Sequence, residues 1–101
     1  MFGKFGDMIG KLQEMKQKAD EIKSSLDAIN LLVESAGGDI QIKINGNRKI
    51  LQMEIAPSLQ HGDKTILEKE LLLAINKAIE TADKINESEM KKAASGLLPG
   101  I

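Results

Sequence analysis

The chain has no cysteine, no tryptophan and no tyrosine, and only two phenylalanines and one histidine among its 101 residues. Without a thiol it forms no disulfide and no thiolate metal site, and nothing in it asks for an oxidising compartment. With its only aromatic rings apart from the histidine at Phe2 and Phe5, any sheet it folds lacks the platforms on which single-stranded nucleic acid stacks. Long apolar runs are missing too. Stretches such as Leu71 to Ile75 fall far short of the roughly 20 apolar residues of a membrane span. The opening MFGKFGDMIG is interrupted by Gly3, Gly6 and Gly10 and lacks the apolar centre of a signal peptide, so a cytoplasmic protein is expected. Charge of one sign is not in excess either: a net charge of −1 excludes a protein that works by bulk neutralisation of nucleic acid, and any such role must rest on local distribution.

Catalytic groupings are equally scarce. His61 stands beside Asp63 in a glycine-containing loop, with no second imidazole or thiol to complete a site. Ser58 is near it, but no Gly-x-Ser-x-Gly elbow surrounds the serine. The stretch GGDIQIKING has neither the Lys-Ser/Thr ending of a phosphate loop nor a dinucleotide fingerprint, so its glycines are read as turn residues. Carboxylates are plentiful but fall in register with lysines. The expectation is a non-enzyme with no catalytic residue, no metal, no cofactor and no small-molecule substrate.

What is present is pattern. Phe5, Met8, Leu12, Met15, Ala19, Ile22, Leu26 and Ile29 recur at alternating spacings of three and four, the seam of a long helix with a narrow apolar face. With Phe5 at position a, Lys4, Lys11 and Lys18 fall at g and Lys16 and Lys23 at e, while Asp7, Glu14 and Glu21 lie further out at c. Lysines on both shoulders repel an identical helix laid parallel along the seam. An exposed, salt-bridged face is the plain alternative for these residues, since Asp7 with Lys11 and Glu14 with Lys18 have favourable i,i+4 spacing.

The segment INLLVES is β-branched enough for a first strand and closes in the turn SAGG. Ile40, Ile42 and Ile44 then share one face of a second strand, and Leu51, Met53 and Ile55 the matching face of a third. Between them Asn45-Gly46-Asn47 supplies the positive φ of a tight hairpin turn, followed by the basic pair Arg48 and Lys49. After the loop APSLQHGD a helix begins near Asp63 to Thr65, where Thr65 and Glu68 have capping-box spacing. Leu67, Leu71, Leu72, Ala74, Ile75, Ala78, Ile79, Ala82 and Ile85 give that helix a wide apolar face. Asn86 with Glu89, or Ser88, reads as a cap opening a short final helix, EMKKAA. The expected fold is a single α+β domain over residues 1–101: long N-terminal helix, three-stranded antiparallel sheet, C-terminal helix and a short terminal helix. One helix on one sheet is a small core, and the surplus seam points to an identical subunit.

The opening MFGKFGDMIGKLQEMKQK, the turn ESAGGDIQIKINGN, the strand end IAPSL, the segment EKELLLAINKAIETADK and the ending SGLLPGI, in this order, resemble the YbaB/EbfC nucleoid-associated proteins. The resemblance spans nearly the whole chain. It implies a homodimer whose sheets combine while the long helices project like tweezers, and binding of double-stranded DNA with little sequence preference in the bacterial nucleoid. On that reading Ile40, Ile42, Ile44, Leu51, Met53 and Ile55 belong to the joining surface. Lys4, Lys11, Lys16, Lys18, Lys23, Lys84, Lys91 and Lys92 become the phosphate contacts, which position a duplex without reading bases. Lys77, Lys84 and Lys91 recur every seven residues as one stripe, with Glu80 and Glu87 four positions before the last two as competing partners. Where the family often has Asp before the proline of the third-strand end, this chain has Ala56. The other readings open to the sequence are a protein-interaction adaptor and a prefoldin-like holdase using the methionine-containing seam.

Overall fold

The structure is a computed structural model that describes the backbone of residues 2–97 and the side chains of residues 6–95. The side chains of Lys4 and Phe5, and those of the ending LLPGI, lie outside the described residues. The order is α1 (Phe2–Ala28), β1 (Asn30–Ser35), a 3-10 turn (Ala36–Gly38), β2 (Ile40–Asn45), β3 (Ile50–Ile55), α2 (Pro57–Gln60) and α3 (Lys64–Leu97). The strands form one antiparallel sheet in the order β1-β2-β3. The α+β arrangement expected from the sequence is present.

Alternation along β2 sends Ile40, Ile42 and Ile44 to one face, where each is completely buried. Val33 of β1 lies opposite Ile42, and Met53 of β3 opposite it on the other side. Over this row lies α3, presenting Ala74, Ala78 and Ala82 at four-residue spacing, all buried. Alanine at those three places lets the helix axis approach the sheet closely, so the isoleucines fill the space between. Full burial of each isoleucine contributes about 1.5–3 kcal/mol.

Ile40, Ile42 and Ile44, which the resemblance places in a joining surface, have their side chains buried within one chain, in the same core cluster as Ala74, Ala78 and Ala82 of α3. Leu51 does not lie on the face that simple alternation along β3 gives it. The ladder shifts between Lys43 and Ile44, so that Ile50 rather than Leu51 faces Ile44. The extra residue, Leu51, is 46% exposed.

The local devices also differ from the sequence reading. The positive φ of the hairpin falls at Arg48 (66°), not within Asn45-Gly46-Asn47. Asn45 organises that turn by accepting the backbone N–H groups of Asn47 (2.9 Å) and Lys49 (3.0 Å) on Oδ1. The loop after β3 contains α2, started by Pro57 at its first position. The cap of α3 is Asp63, whose Oδ1 accepts the N–H groups of Thr65 (2.7 Å) and Ile66 (3.4 Å). Glu68 pairs instead with Lys64 at 3.6 Å.

No separate terminal helix exists among the described residues, because α3 runs unbroken for 34 residues. Asn86, read as a cap, turns its side chain away from its own helix and donates from Nδ2 to the Gly46 carbonyl at 3.0 Å.

Gly6 and Gly10 lie within α1, and a methyl group built on either meets nothing within 4 Å. Replacing both with alanine is expected to stabilise α1 by about 1 kcal/mol each. Thermal melts followed by circular dichroism check this; an unchanged or lowered midpoint would mean that the backbone there needs glycine.

Candidate nucleic-acid interface

At 1.5 Å per residue the 27 residues of α1 and 34 of α3 make rods of about 40 and 51 Å. They carry the molecule to 70 × 22 × 20 Å. The sheet covers only the first half of α3. Beyond it α1 and α3 run on as a pair of arms, linked near Leu26 and Asn86 through Gly46 and lining one groove with residues from Met15 to Leu26 and from Asn86 to Ala94.

Gly46 is the joint of this arrangement. Its N–H donates to the carbonyls of Leu26 (2.9 Å) and Ile29 (3.1 Å), and its own carbonyl takes Asn86 Nδ2. Asn47 adds a clasp, donating from Nδ2 to the Lys23 carbonyl (2.9 Å) and to Asp27 Oδ1 (2.6 Å). The Leu26 carbonyl lies in the last turn of α1, where carbonyls lack partners within the helix, so the Gly46 bond helps finish α1 and, with the Asn47 clasp, aims it. Neither residue was legible as a joint, because the signal is spatial and its parts are 20 to 40 positions apart.

The lysines singled out from the sequence are all exposed where described, namely Lys11, Lys16, Lys18, Lys23, Lys84, Lys91 and Lys92. Two are engaged: Lys18 pairs with Glu21 at 3.6 Å and Lys92 with Glu89 at 3.4 Å. These four side chains line one shallow groove between the arms, so the structure brings Lys18 and Lys92 together but with an acid beside each. Lys23 and Arg48 both line a second groove between the arms. Among the described residues Lys11, Lys16, Lys23, Lys84 and Lys91 have no carboxylate within 4.0 Å, and the spaced pairs Asp7 with Lys11, Glu14 with Lys18, Glu80 with Lys84 and Glu87 with Lys91 are not formed. Arg48, the positive-φ residue, is held by Asp83 of α3 and so braces the hairpin. Lys77 donates to the Glu34 carbonyl of β1, which places the head of the 77, 84, 91 stripe at that edge of the sheet.

Met8, Leu12 and Met15 remain 60%, 60% and 55% exposed, and the apolar seam of α1 runs open beyond its contact with α3. No group of three or more His, Cys, Asp or Glu able to hold a metal occurs among the described residues. His61 closes α2 with its backbone N–H on the Pro57 carbonyl. No helix among the described residues is long and apolar enough to cross a membrane.

A small sheet that holds two long helices at one joint and sets lysines along them defines a binding module of the α+β class. Residues 1–97 match the YbaB/EbfC DNA-binding family, and the chain belongs to it. That is a family of nucleoid-associated DNA-binding proteins and not one of enzymes. A nucleoid-associated protein of Chlorobaculum tepidum is 33% identical over 95 residues, covering 94% of this chain and 85% of the relative. One from Clostridium novyi is 35% identical over 78 residues, 75% of this chain and 68% of the relative. The crystal structure of an uncharacterized protein from Helicobacter pylori superposes with a TM-score of 0.76 at 23% identity, covering 94% of this chain and 97% of that one, a likeness of fold.

Proposed function

We propose that this chain is a cytoplasmic nucleoid-associated protein that grips duplex DNA as a homodimer, with little sequence preference. The observation that carries the reading is the match to a DNA-binding family across residues 1–97, which include both arms. Lys11, Lys16, Lys23, Lys84 and Lys91, exposed and free of carboxylates within 4.0 Å among the described residues, contact phosphate oxygens, and Lys4, Lys18 and Lys92 join them. Phosphate contacts fix register without reading bases, which fits a chain with no aromatic or bidentate base-reading cluster.

The two copies meet along β3. With Ile40, Ile42 and Ile44 committed to the core, the joining surface reduces to the outer edge of β3, with Leu51 exposed and Met53 and Ile55 half-buried at its margin. The other edge is less receptive, since the Glu34 carbonyl of β1 already accepts the charged Lys77 side chain.

Titrating labelled duplex DNA at low and near-physiological salt tests the reading. Binding is expected to fall steeply as salt rises, because each neutralised phosphate releases counterion. Replacing Lys11, Lys18 and Lys84 with Glu weakens it and flattens the salt slope by about one for each lysine in contact. No binding at low salt, or binding indifferent to salt, overturns the proposal. Sedimentation of the free protein tests the dimer separately.

A further inference from the structure

We propose that the open seam of α1 is a docking surface for an amphipathic helix of another protein, one whose apolar stripe is bordered by acidic residues on both sides. Phosphate contact leaves the seam unexplained: Met8, Ile9, Leu12 and Met15 are 42–60% exposed, and a duplex backbone gains nothing from them. Met15 also lines a groove of about 510 Å³ between the arms, whose apolar wall includes Ala19, Ile22, Met90 and Ala93. Methionine at three of these places gives a surface that adapts to different apolar side chains.

Charge selects the occupant. Lys11 and Lys18 border the seam on one shoulder and Lys16 and Lys23 on the other, and no acid occupies either row. Of these, Lys11, Lys16 and Lys23 have no carboxylate within 4.0 Å among the described residues, so their charge faces outward. A second α1 laid parallel along the same seam brings like charges together on both sides, which disfavours that pairing of identical copies. A helix with Leu, Ile or Met at its inner positions and Glu or Asp at its flanks satisfies both the apolar stripe and both lysine rows. Such a helix uses the lysines assigned to phosphate above, so helix and duplex exclude one another.

The test uses the full chain and two synthetic helical peptides about three heptads long, each with Leu at the inner positions. One carries Glu at both flanks and the other Lys. The Glu-flanked peptide is expected to bind at least about tenfold more tightly than its Lys-flanked twin, and duplex DNA at low salt is expected to displace it. Met8→Asp with Leu12→Asp, at two exposed positions, abolishes peptide binding while circular dichroism and thermal stability hold. Failure of the Glu-flanked peptide to bind, or equal binding of both peptides, overturns the proposal. So does loss of self-association in the Met8→Asp, Leu12→Asp protein, which would assign the seam to a second copy. Peptide binding, its charge preference and its loss in the double variant do not depend on whether the chain binds DNA, whereas displacement by duplex does, so the two readings fail separately.

Discussion

Replacing Ile42 by Ala is expected to remove about 2–5 kcal/mol of folding stability, out of the roughly 5–15 kcal/mol that holds a native domain together. Ile42 is fully buried, with Val33 and Met53 beside it on neighbouring strands. It belongs to the same core cluster as Ala74, Ala78 and Ala82 of α3. The small alanines have no reach with which to fill the void that a lost sec-butyl group leaves. The backbone ladder on both sides of β2 resists collapse into it. Urea denaturation followed by circular dichroism measures the loss. Because the side chain is inside one chain, the loss is the same in dilute and concentrated protein. A loss that disappears as protein concentration rises would return Ile42 to a subunit contact.

Gly46→Ala is expected to destabilise the fold by about 1–3 kcal/mol and to loosen α1 from α3. The added methyl would sit 2.8 Å from the Leu26 carbonyl oxygen and 2.9 Å from Leu26 Cδ2. The first of these is backbone and cannot turn aside. Either the Gly46 bonds to Leu26 and Ile29 lengthen or the C-terminal end of α1 moves off, and both undo the joint. Hydrogen exchange distinguishes this from a general loss: amides in the last turns of α1 exchange faster while those of β2 keep their protection. The same Gly→Ala change at Gly10, which meets nothing within 4 Å, works in the opposite direction. If Gly46→Ala leaves both stability and exchange unchanged, the close approach at this joint is not what orients α1.

The periodic elements were legible because their causes are local. A three-four seam from Phe5 to Ile29 specifies α1, and isoleucine at every second position from Ile40 to Ile44 specifies β2 and its buried face. The devices that end or join elements were less legible, since each depends on what is near in space. Asn86 has the residue type of a cap, yet its side chain is taken by the Gly46 carbonyl forty positions earlier and the helix passes through it. The Asn-Gly-Asn turn has the composition for a positive φ, but bonds from Arg48 N–H to the Asn45 carbonyl and from Asn45 N–H to the Lys49 carbonyl close a three-residue loop whose last residue, Arg48, takes that conformation, and Asp83 braces its side chain. The isoleucines of β2 were assigned to a joining surface on resemblance. The alanine spacing of α3, which shows that its own helix could lie close enough to cover them, was visible in the same sequence. Of the site, the rows of lysine on α1 follow directly from the heptad. Which of them carry an acid is settled within the helix by side-chain conformation, since Lys18 takes Glu21 three positions on rather than Glu14 four positions before it.

The Lys77 bond to the Glu34 carbonyl bears on how far strands can accumulate. A sheet with two receptive margins accepts a neighbour on each and grows without limit, as fibres do. Here a lysine tethered from α3 occupies one carbonyl of the β1 strand. If two copies join along β3 as proposed, that margin is used up, and each outer margin of the composite sheet carries a tethered charge, a device that disfavours further strand addition.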